Sequence, residues 1–62
     1  MNTYIDDSYP TLYFNTIESA KDFAERIGYD EYEVVDLAFF PIGSDDLHHV
    51  GYGLLIKGVL LK

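Results

Sequence analysis

The sequence predicts a small α+β domain of two layers, with one helix packed on a three-stranded, mainly antiparallel sheet in the order β-α-β-β. Three observations lead there. Apolar residues recur at helical spacing only between residues 17 and 27, two later stretches carry β-prone residues at alternating positions, and turn formers separate these segments. With 62 residues there is room for one domain, taken as 1–62.

Residues 1–10 read as a flexible or edge segment, because Asp6, Asp7, Ser8 and Pro10 are unfavourable in a central strand. Thr11, Leu12, Tyr13 and Phe14 form a short aromatic run, which reads as the first strand. Asn15 and Thr16 are suitable N-caps, and Glu18 then falls in a first turn where its charge complements the helix dipole. The helix covers about 17–27, with Ala20, Phe23, Ala24 and Ile27, joined by Ile17, on one stripe. Gly28 is the left-handed terminator. Outward lie Glu18, Lys21, Asp22, Glu25 and Arg26, among which Lys21 with Glu25 and Asp22 with Arg26 stand four apart.

From 31 to 40 the period changes to two: Val35, Leu37 and Phe39 share one side, and Tyr32, Val34, Asp36, Ala38 and Phe40 the other. Pro41 ends that strand, and 41–50, with Gly43, Ser44, Asp45 and Asp46 in a row, reads as a wide hairpin loop. A third strand is expected over 51–61. Along it Tyr52, Leu54, Ile56 and Leu60 would share one face, and Leu55, Val59 and Leu61 the other.

This arrangement raises a covering problem. One eleven-residue helix can shelter one face of the sheet, yet both long strands carry bulky apolar residues at both parities. A bare second face would be a larger apolar patch than a monomer usually exposes, so a homodimer or a firmly held partner is expected there, through Leu55, Val59 and Leu61. The competing solution is that the N-terminal segment folds back over this face using Tyr4, Ile5 and Tyr9. Small size sharpens the issue, since a chain of this length buries only about 60% of its unfolded surface.

Composition excludes several kinds of chemistry. Without cysteine there is no disulfide framework, thiolate metal site or thiol nucleophile. The three serines lie in no nucleophile-elbow context, and Gly51, Gly53 and Gly58 sit in an apolar stretch and not ahead of a helix, as a phosphate loop requires. Asp45, Asp46, His48 and His49 offer metal-ligand atoms within five residues, but adjacent histidines on extended backbone point apart and a solvated loop explains the same letters. No enzyme activity, metal or cofactor is expected. No apolar run reaches the length of about 20 residues that spans a membrane, and the polar, acidic start lacks a secretory pattern, so a soluble cytoplasmic protein is expected.

What remains is charge. Eleven carboxylates against four Lys+Arg give a formal charge of −7, which repels nucleic acid and favours an electropositive partner. Spaced carboxylates on one face would imitate a duplex backbone and occupy a basic groove on a larger protein, as a DNA mimic does. The expected contact set is Glu18, Asp22, Glu25, Asp30, Glu31 and Glu33, with Tyr29 and Tyr32 as anchors. The function so predicted is a small interaction module, a stoichiometric inhibitor or regulator. Its size and charge are those of phage-encoded counter-defence proteins, an analogy that rests on no shared motif. The alternative is a structural subunit that assembles through its apolar sheet face.

Overall fold

The computed structural model describes all 62 residues, in the order β1 (Thr3–Asp6), α1 (Ile17–Ile27), β2 (Tyr32–Phe39), β3 (His48–Ile56) and β4 (Val59–Leu60). The class is α+β as expected, but the sheet has four strands in the order β1-β2-β3-β4 and is mixed, with β1 parallel to β2 and the other pairs antiparallel.

The helix follows the local code closely. Thr16 is the N-cap, its Oγ1 accepting from the Ser19 N–H at 3.0 Å, and Gly28 closes the helix at φ 96°. Both the Gly28 and Tyr29 amides donate to the Ala24 carbonyl, at 3.1 and 3.0 Å, which turns the chain back toward the sheet. Ala20 and Ala24 are fully buried against Leu54, and Phe14, Phe23, Tyr29, Tyr32, Val34, Ile56 and Leu61 pack around them. Two alanines at the contact let the helix backbone lie close to the strands. Ile27, expected on the inner stripe, is half exposed.

Three strand expectations are corrected. The first strand is Thr3–Asp6 and not 11–14. Parallel pairing draws on main-chain groups, with Thr3 opposite Asp36 and Asp6 opposite Phe39, and it lets the acidic segment serve as an edge while residues 7–31 form the crossover that parallel strands require. Of residues 11–14 only Phe14 pairs, in a single two-bond bridge with Tyr52 at 2.7 and 2.8 Å. Pro10, without an N–H, precedes that run, and the helix cap at Thr16 follows it closely.

The expected strand over 51–61 is two strands. β3 begins three residues earlier, at His48, and ends at Ile56; Lys57 (φ 52°) and Gly58 (φ 82°) then make a two-residue reversal, the backbone of a tight hairpin turn. Leu55 therefore lies opposite Leu60, and Ile56 opposite Val59. Antiparallel partners share a face, so the reversal exchanges the parity expected after residue 56: Leu60 joins Leu55, Val59 sits exposed, and Leu61 packs on the helix side. A register shift at Leu37/Ala38 likewise changes the partners from Gly51 to His49.

The second face of the sheet is not bare. Val35, Leu37 and Leu60 are buried there, with Tyr4 from β1 and Val50 and Leu55 from β3 packed against them. Three features close it. Gly53 has no side chain, and the Leu37 side chain fills that space, 2.8 Å from where a Cβ would stand. The sheet curls, so that the Lys62 ammonium just past β4 reaches Asp6 at the other edge, 3.7 Å away. The crossover adds a buried Pro10, and Tyr9, itself half exposed, meets the Phe39 ring edge-on at 5.1 Å. The chain thus resolves the covering problem internally. Of the competing solution's residues only Tyr4 packs on that face, while Ile5 and Tyr9 remain half exposed.

Candidate interaction surface

The acidic surface starts from the helix. With Ala20 and Ala24 turned inward, Glu18, Asp22 and Glu25 occupy the outermost stripe at i, i+4 and i+7, all exposed. Their rise along the axis is about 6 and then about 4.5 Å. Asp22 is held by Arg26, Nε to Oδ2 at 3.2 Å, a pair that lies in water and contributes at most about 1 kcal/mol. The Gly28 reversal carries the chain into Asp30 and Glu31, which are exposed at the other end of the helix.

The remaining residues of the expected contact set are placed otherwise. Tyr29 and Tyr32 are half-buried and pack against the helix-side core, so most of each ring is committed to holding α1 on the sheet. Glu33 lies opposite Leu55, on the face away from the helix, and accepts a hydrogen bond from Asn2 Nδ2 at 3.0 Å. Of the expected set, Glu18, Asp22 and Glu25 thus share the outer stripe of the helix, Asp30 and Glu31 follow its C-terminal end, and Glu33 stands apart. Of the expected assembly residues, Leu55 belongs to the filled second face, Leu61 to the helix side, and Val59 alone is well exposed.

Charge pairing is sparse. Arg26 pairs with Asp22 and Lys62 with Asp6, and His49 Nδ1 lies 2.7 Å from Asp36, so eight of the eleven carboxylates have no basic side chain within 4.0 Å. Asp6 is the one buried carboxylate, its side chain 7% exposed, and the cation it meets comes from the opposite sheet edge. His48 and His49 belong to β3 and point apart: His48 leans on the Phe39 ring at 6.1 Å, and His49 Nδ1 meets Asp36. No three His, Asp or Glu side chains come together as metal ligands would. No helix is long and apolar enough to cross a membrane.

Sequence reasoning missed one surface. Past the last β1–β2 rung, residues 7–9 and 39–42 part around an apolar groove, and Tyr9, Phe40 and Ile42 on its walls are well exposed. The signal was the run Phe39, Phe40, Pro41, Ile42, four apolar residues leading into a stretch of turn formers where polar ones are usual. No family model matches the chain, and neither a curated protein nor a solved structure matches it.

Proposed function

We propose that this chain is a small acidic interaction module that binds a larger protein stoichiometrically, covering a basic, nucleic-acid-binding surface and so inhibiting or regulating it. The observation that carries the reading is the set of eight carboxylates without basic partners, in a chain of only 62 residues. Holding so much like charge on a small body costs stability through self-repulsion, and a basic partner relieves that cost on binding. Glu18, Asp22 and Glu25, aligned on one rigid helix, give this surface a fixed spacing, which a flexible acidic tail would lack. In this reading Asp30 and Glu31 extend the stripe, and Tyr29 and Tyr32 contribute only their exposed edges.

The test is affinity capture from the native host, followed by titration of the captured protein at low and high salt in the presence and absence of competing nucleic acid. Binding should weaken about tenfold or more as salt rises, nucleic acid should compete, and Glu18→Lys with Glu25→Lys should abolish the interaction. Affinity that ignores salt, or binding that nucleic acid leaves untouched, rejects the mimic. The alternative is a subunit assembling through Leu55, Val59 and Leu61; Leu55 and Leu61 pack within the chain, so Val59 is the one well-exposed residue that would carry it.

A further inference from the structure

The apolar groove lies at the carboxyl ends of the two parallel strands. Asp6 opposite Phe39 is the last rung; Pro41 cannot donate to another, and the two backbones separate. The opening, about 320 Å³, has Tyr9, Phe39, Phe40 and Ile42 on its walls and Asp7 at its rim. That volume is at the small end of ligand clefts, which run from about 300 to 1,000 Å³, and suits one large side chain. Tyr9 is 55% exposed, Phe40 46% and Ile42 106%, while Ile5, one rung back on β1, is 51% exposed. Apart from Pro10 and Gly53 only seven apolar residues are buried in the whole molecule, so leaving Tyr9, Phe40 and Ile42 open at one groove is a substantial outlay of apolar surface. The main-chain groups of residues 7–9, Phe40 and Ile42 form no main-chain hydrogen bonds within the chain, which leaves donors and acceptors beside the apolar walls.

Charge decides between occupants. Asp7 is exposed and has no basic side chain within 4.0 Å, and neither Lys nor Arg lines the groove. A second copy would bring another formal charge of −7, and an isologous contact would set one Asp7 near the other. We infer that the groove receives one aromatic or aliphatic side chain from a basic segment of a protein partner, with Asp7 pairing a Lys or Arg next to that anchor. The inference rests on the reading of the chain as a module for basic partners and adds the place where the apolar anchor docks. The helix stripe supplies attraction at a distance; the groove supplies the short-range, desolvated contact that holds a complex together.

The probe is a synthetic hexapeptide with one phenylalanine flanked by lysines, titrated into the intact protein and followed by amide-resolved NMR. Shifts should concentrate at residues 7–9 and 39–42. Ile42→Asp and Asp7→Lys should each weaken binding about tenfold or more without unfolding the domain, since both side chains are exposed. Equal affinity for an aspartate-flanked phenylalanine peptide, shifts confined to α1, or a dimer that Ile42→Asp returns to monomer would each overturn the inference. Failure here with retained salt-sensitive binding of basic proteins removes the groove and leaves the acidic module. Groove binding that survives Glu18→Lys with Glu25→Lys, in a chain that binds no basic protein, does the reverse.

Discussion

Single residues set the tightest constraints. Gly53 stands where the Leu37 side chain crosses the sheet, and Leu37 is fully buried and has no room to withdraw. Gly53→Ala should therefore destabilise by about 1–3 kcal/mol in denaturant titration, the usual cost of overpacking. An unchanged midpoint would show that the second face is looser than described. At Thr16 the side chain satisfies an otherwise free helix amide, so Thr16→Ala should cost about 1 kcal/mol and Thr16→Ser much less. Tyr9 offers a titration test. Its pKa is raised above 10.0, first because the hydroxyl of Tyr13, whose ring stands edge-on to its own, favours the neutral phenol and then because charge on Tyr13 opposes the phenolate. A folded value above the unfolded one means that this contribution to stability is present below the ordinary pKa and fades as pH climbs through the raised one. Ultraviolet titration should show one tyrosine ionising late, and Tyr13→Phe should return it to the ordinary range.

Among the elements, the helix was the most legible, because cap, stripe and terminator are local signals that agree: Thr16, the spacing of Ala20 and Ala24, and Gly28. β2 was nearly as clear, bounded by Asp30 and Pro41. The β3–β4 reversal was not, because Lys57 carries no turn signature; it takes a positive φ that Asn or Gly adopts more readily. Lys57→Asn should raise stability by up to about 1 kcal/mol, and Gly58→Val should lower it by at least about 1 kcal/mol. The change of parity has its own test. Leu55→Asp places a charge against Val35 and Leu37 and should unfold the domain, whereas Val59→Asp, at a position 69% exposed, should change the midpoint by no more than about 0.5 kcal/mol. Equal damage from both would mean that the two residues share a face after all.

At the scale of the whole molecule, a formal charge of −7 is spread over a body 39 × 20 × 20 Å in which ten of 62 residues are buried. So small an interior leaves little margin against self-repulsion. Raising ionic strength from about 0.01 to 0.15 M shortens the screening length from about 30 to 8 Å and should raise the thermal midpoint. A midpoint that falls or stays level would indicate that the carboxylates are better compensated than their few basic neighbours suggest. The groove lies at the carboxyl ends of the β1–β2 pair, so one elongated molecule carries both an acidic helix and an apolar notch.

By itself the sequence determined the class, the helix and its caps, the central β2 strand and the acidic helix stripe, since each follows from periodicity or from residues adjacent along the chain. Only the tertiary structure decided that Thr3–Asp6 is a strand, that Leu55 and Leu60 share a filled face, and that Glu33 stands apart from the helix carboxylates. Those outcomes turn on which main chain pairs with which and how the sheet curls. The β1–β2 pairing joins residues some thirty positions apart through groups that every amino acid carries, and the Leu55–Leu60 pairing follows from a turn at Lys57 whose side chain does not announce it.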